Sequence, residues 1–127
     1  MNKKQCAVKT RMIVNRLLEQ LKICVFEEMP DARYDIEMIE FTFEQISDYN
    51  FMQLMVEFIL PHAHVIRRGD KQFASENLSY LFESLPATRV SFYKEFFLHH
   101  LDPDHEKTII QYFQVILTMT ERYRKLD

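Results

Sequence analysis

Five histidines, two cysteines and one Arg-Gly-Asp tripeptide hold most of the reactive potential of this sequence, and their spacing decides what they can do. His62 and His64 stand two positions apart, which on a helix turns them about 200° from each other and keeps them from sharing an ion. His99 and His100 are adjacent and also diverge. A site joining either of them to Asp102 and His105 is geometrically possible, yet it has the spacing of no common zinc ligand set. Solvated or helix-capping histidines, and no metal, are the expectation. No nucleophile stands beside a base in a readable constellation, and one glycine in the whole chain leaves no phosphate-binding loop and no dinucleotide fingerprint. The carboxylates of Glu27-Glu28 and of the segment after them read as a solvated face rather than a general acid and base. Neither an enzyme nor a cofactor is predicted.

Arg68-Gly69-Asp70 matches an adhesive tripeptide, but the same letters write the end of a helix: cations in the last turn, glycine just past it, then a new cap. Cys6 and Cys24 are too few for a disulfide framework. Eighteen residues apart on one continuous helix, they would be about 27 Å from each other and unable to pair. Two small buried thiols in a reducing compartment are expected.

The elements that position these residues are helical. Of 127 residues, 47% are apolar and 28% charged, which is globular composition, and a chain of this length predicts one domain over 1–127. One Gly and four Pro are too few for a sheet protein rich in tight turns. The most apolar stretch, Phe51 to Leu60, is interrupted by Gln53 and Glu57 and is half as long as a bilayer span, so no membrane segment is expected. No signal peptide is read at the start of the sequence.

Periodicity gives the first helix as about Lys4 to Phe26, with Cys6, Ile13, Leu17, Leu21 and Cys24 on one face beside Val14 and Val25. A second spans about Arg33 to Ser47 on Ile36, Ile39, Phe43 and Ile46. After a turn at Asp48-Tyr49-Asn50, with Asn50 as cap, a third carries Phe51, Leu54, Met55, Phe58 and Ile59. Pro61 kinks that helix or starts a short one reaching Arg67. A short helix from Asp70 to about Asn77 turns Phe73 inward, and Leu81, Phe82 and Leu85 form an irregular apolar plug. A helix over about Ala87 to Leu98 presents Val90, Tyr93 and Phe97, flanked by Phe92 and Phe96. Asp102-Pro103 starts the last, to about Lys125, with Ile109, Phe113, Ile116, Thr120 and Tyr123 inward and Ile110 and Leu117 behind them. The predicted fold is all-α, a single irregular bundle of six or seven helices.

Charge is unevenly spread. Residues 1–25 hold six cations against one anion, and residues 26–60 hold nine anions against one cation. Two readings compete. Lys4, Lys9, Arg11, Arg16 and Lys22 could lie along nucleic acid. Alternatively, the first two helices are antiparallel neighbours whose opposite charges fix their pairing. The first helix also has a second apolar line, Val8, Met12, Ile23 and Phe26, opposite the first and interrupted by Glu19. A helix apolar on two sides is either central in its bundle or in contact with a partner, and this line is the candidate surface for a protein partner or self-association.

The stretch from about Val56 to Tyr123 resembles a group of small helical proteins encoded by large DNA viruses of algae and protists. The resemblance lies in Phe58-Ile59-Leu60-Pro61, Ile66, Arg68, Asp70, Phe73, Asn77, Leu81-Phe82, Leu85-Pro86, Val90, Phe92, Tyr112-Phe113 and Ile116. Gly69 separates the arginine from the aspartate, and Ala74 stands where the pattern has a second Phe. These are core and cap positions, so the resemblance implies a fold and a viral origin, with action in the infected cell or the virion, and no site residue. The combined expectation is a non-enzymatic, intracellular protein acting through protein–protein contact, with nucleic-acid association as the alternative.

Overall fold

The computed structural model describes residues 1–25, 29–71, 73 and 86–126. Among them there is no strand, and five helices of twelve or more residues make up the fold: α1 (Lys3–Val25), α2 (Ala32–Gln45), α3 (Asp48–Ile59), α5 (Ala87–His99) and α6 (Pro103–Lys125). Between α3 and α5, a 3-10 turn at Leu60–His62 leads into the single-turn α4 (Ala63–Arg67). Among the described residues, five full helices therefore stand where six or seven were expected, with α4 only a single turn. Of the two effects weighed for Pro61, the structure shows the break and restart: α3 ends at Ile59, and after a 3-10 turn holding Pro61 a short helix runs from Ala63 to Arg67. Most of the predicted 70–77 helix and the Leu81, Phe82, Leu85 plug lie outside the described residues.

The long helices α1 and α6 form the spine. Cys6, Ile13, Leu17 and Leu21 of α1 meet Ile109, Phe113, Ile116 and Tyr123 of α6 in one buried cluster. Helix α3 packs on both through Phe51, Met52, Met55 and Ile59. Two threonines within this core, Thr10 and Thr120, satisfy their hydroxyls by donating to the carbonyls of Cys6 and Ile116 one turn back. Lys3 completes the α1–α6 seam with its ammonium 5.1 Å from the Tyr123 ring centre.

Several expectations needed correction. Asp48-Tyr49-Asn50 is the first turn of α3, capped by Ser47, whose hydroxyl accepts from the Asn50 amide at 3.1 Å. Leu18 and Met52, read as neither stripe nor flank, are fully buried, because each helix is covered by neighbours on more than one side. Phe58, placed on the inner face of α3, is more than two-fifths exposed, and Val90 and Cys24 are only half-buried.

The Arg-Gly-Asp tripeptide is a helix end. Gly69 has φ +69°, its amide donates to Ile66, and the Asp70 amide donates back to Val65, the paired bonds of a Schellman cap. Asp70 then caps the following turn by accepting from the Phe73 amide at 3.1 Å. A Cβ at Gly69 would meet Gln114 and Ile110 only at ordinary contact distances, so the cost of Gly69→Ala is conformational. We expect that substitution to lose about 1–2 kcal/mol in chemical denaturation, with no change in helix content.

Candidate functional site

The residues that could do chemistry are kept apart or put to structural use. Among the described residues, no three His, Cys, Asp or Glu side chains gather as a metal ligand set. His105 Nδ1 is 2.8 Å from the Gln20 amide of α1, whereas His99 points back to Glu95 one turn earlier in α5. His62 packs on Phe73, and His100 stacks on Phe96. The Cys6 thiol is buried and donates to the Met119 carbonyl at 3.3 Å. A core cavity of about 120 Å³ has Val14, Leu17, Leu54, Met55, Phe113 and Ile116 in its wall and no polar side chain among its described lining residues. It offers nothing to orient a substrate.

One buried polar cluster was missed from the sequence. Asp35 lies on the inner face of α2, where its carboxylate accepts from Arg89 Nε at 2.8 Å and from the Tyr93 hydroxyl at 2.5 Å, both on α5. The signal was there: Asp35 shares the inward spacing of Ala32, Ile36 and Ile39, which should have set it apart from the acidic run. The Tyr93 phenol is pushed well above its ordinary value, by burial first and by its bond to Asp35 second. Burial pushes the Cys24 thiol up to about 11 from an ordinary 9.0. Both groups stay neutral in the fold while the unfolded chain ionises, so their contribution is complete below the unfolded values and fades as pH rises through the folded ones. We expect melting temperature to fall from about pH 9 upward, and Tyr93→Phe to flatten the part above about pH 10.

The basic set of α1 is divided in two. Arg11 turns inward: it donates to the Phe43 carbonyl at 2.7 Å, the Ile46 carbonyl at 2.6 Å and the Asp48 carboxylate at 2.8 Å, and lies over the Phe51 ring. Lys22 bonds Glu19 at 2.8 Å and Glu40 of α2 at 2.7 Å. Although burial opposes it, these two carboxylates hold the Lys22 ammonium above its usual range. Opposite charges therefore tie α1 to α2 and to the α2–α3 corner. Lys4, Lys9 and Arg16 remain exposed.

The apolar outer surface is larger than the sequence suggested. Val8, Met12 and Ile23 are 46%, 50% and 62% exposed, while Phe26 lies outside the described residues. Beside them, α2 presents Tyr34, Met38 and Phe41, which are 66%, 60% and 56% exposed. Spaced four and three apart, these three form a single outward line, directly opposite the core-facing Ala32, Ile36 and Ile39. The sequence reading gave α2 one apolar face only; the second was legible in the same periodicity.

Helices α1 and α2 are antiparallel neighbours, since the Met29 amide bonds to Val25 at their junction and Arg11 reaches the far end of α2. Their outer faces thus form a two-helix surface with six large apolar side chains in solvent. Soluble domains seldom leave such groups aligned without a use.

No protein-family model matches the chain, and no curated protein or solved structure shows significant similarity to it.

Proposed function

We propose that this chain is a non-enzymatic helical protein that works by binding protein through the outer face of α1 and α2. The observation that carries the proposal is the alignment of Val8, Met12 and Ile23 with Tyr34, Met38 and Phe41 on two adjacent helices whose opposite faces are already buried in the core. Anchors at helical spacing with aromatic and methionine side chains are the kind that protein interfaces favour. Within the proposal, the resemblance of the second half to viral helical proteins supports action in an infected cell or a virion. Among the described residues, no helix is long and apolar enough to cross a membrane.

Affinity capture from expressing cells tests the reading. Proteins that co-purify with wild type should be lost from both Met12→Asp and Met38→Asp. Identical profiles for all three would reject the face as a binding surface.

A second reading, nucleic-acid association, draws on the exposed Lys4, Lys9 and Arg16. It has only three of its five cations outward, because Arg11 and Lys22 are committed to α2 and its corner. Binding that weakens steeply with salt and disappears in Lys9→Glu/Arg16→Glu would support it. Absence of binding at low ionic strength removes it.

A further inference from the structure

The chemistry of the two outer faces specifies a partner. Along α1 the apolar line Val8, Met12, Ile23 is flanked by exposed Lys4, Lys9 and Arg16, with Glu19 the one acidic neighbour. Along α2 the line Tyr34, Met38, Phe41 is flanked by exposed Asp31 and Glu44 and by half-exposed Glu37, which pairs with Arg33, the one basic neighbour. Each stripe is thus matched in apolar character and opposite in charge to the stripe beside it. Because α1 and α2 belong to the same molecule, the pair of faces is complementary to itself.

We propose that the α1–α2 face binds a second copy of this chain, forming a two-fold dimer in which α1 of each protomer lies against α2 of its partner. The proposal rests on the reading that this face is a binding surface and names what covers it. Two side-by-side helices can meet their own copy about a two-fold axis in the interface plane in two ways. An axis running across the helices sets α1 on α1 and α2 on α2, opposing cation to cation and carboxylate to carboxylate. An axis running along the helices sets α1 on α2 twice, opposing cation to carboxylate, and charge selects this arrangement. The pairing across the interface then repeats the antiparallel, opposite-charge pairing that already joins α1 to α2 within the protomer through Lys22 and Glu40.

The surface is of adequate size. Half-exposed side chains of these types offer roughly 100 Å² each, and six of them with the stems of Lys9 and Arg16 approach the ~800 Å² per partner of a standard interface. The charged rim mainly sets orientation and rate, so the dimer should weaken, without vanishing, at high salt.

Sedimentation velocity and light scattering on the full chain test this, across concentrations reaching roughly 100 µM because interfaces of this size span micromolar to picomolar affinity. Wild type should approach twice the 15.4 kDa chain mass. Met12→Asp and Met38→Asp should each sediment at the single-chain mass, with wild-type helix content by circular dichroism, since both side chains are at least half exposed. The charge variants, each tested alone, separate this geometry from the pairing of α1 on α1 and α2 on α2. Lys9→Glu/Arg16→Glu makes both faces acidic and Glu37→Lys/Glu44→Lys makes both basic, so each alone should be monomeric. Their equimolar mixture should form a mixed dimer, because each acidic face then meets a basic one.

A wild type that stays monomeric throughout overturns the self-association and leaves the wider binding reading to the capture experiment. A dimer unaffected by Met12→Asp and Met38→Asp overturns this interface. Charge variants that dimerise alone as well as wild type overturn the α1-on-α2 pairing.

Discussion

Asp35→Ala should cost roughly 2–4 kcal/mol, less than a fully buried pair because Arg89 is about a third exposed, and leave a chain that unfolds at lower denaturant concentration. The carboxylate is the shared acceptor for Arg89 and Tyr93, and its removal strands a guanidinium and a buried hydroxyl together. The loss exceeds what the pair contributes relative to an apolar filling, because the penalty comes from the partners left behind. The triple variant Asp35→Leu/Arg89→Met/Tyr93→Phe should therefore recover much of the stability, and equilibrium urea melts of both proteins measure the difference. If Asp35→Ala falls within about 1 kcal/mol of wild type, this cluster does not hold α2 against α5.

Arg11→Ala should be the second large loss, about 2–4 kcal/mol. One guanidinium takes up two carbonyls at the C-terminal end of α2, pairs with Asp48 in the first turn of α3 and covers the Phe51 ring. It thereby fixes the corner between α2 and α3 from a third helix. Lysine cannot reproduce a planar fork with several fixed donors, so Arg11→Lys should recover less than half of the loss. The readout is the urea midpoint. If nucleic-acid contact were the role of Arg11, stability would be unmoved and only binding would suffer.

How far the sequence could be read depends on how local each feature is. Helix ends were legible where a residue does its own capping: Asp102 accepts from the Asp104 amide, and Gly69 takes the left-handed conformation that few other residues tolerate. The inner stripe of α6 was legible because Ile109, Phe113, Ile116, Thr120 and Tyr123 all face one way. The start of α3 was not, since Asp, Asn and Ser cluster there and any of them can cap; Ser47 takes the place given to Asn50. The role of Arg11 was invisible because its partners are 32 to 37 positions away, and a basic side chain on a helix surface reads alike whether it meets solvent or a carbonyl. Asp35 was legible in part: its inward spacing with Ala32, Ile36 and Ile39 marked it as buried, whereas its partner Arg89, 54 positions away, had no local signal. The candidate surface was half legible. Val8, Met12 and Ile23 were read from spacing, whereas Tyr34, Met38 and Phe41, which carry the same periodicity, were passed over in favour of the inward pattern of their helix.

The spine joins the two ends of this sequence: Cys6 bonds Met119, and Lys3 lies over Tyr123. During translation, then, Leu17 and Leu21 leave the ribosome long before Phe113 and Ile116 exist to cover them. At about 5–20 residues per second, that interval is roughly 5–20 s for the hundred or so intervening residues. Through it the apolar face of nascent α1 has only α2 and α3 to cover it and lacks its main partner α6, so chaperone supply rather than final stability should govern how much protein a cell accumulates.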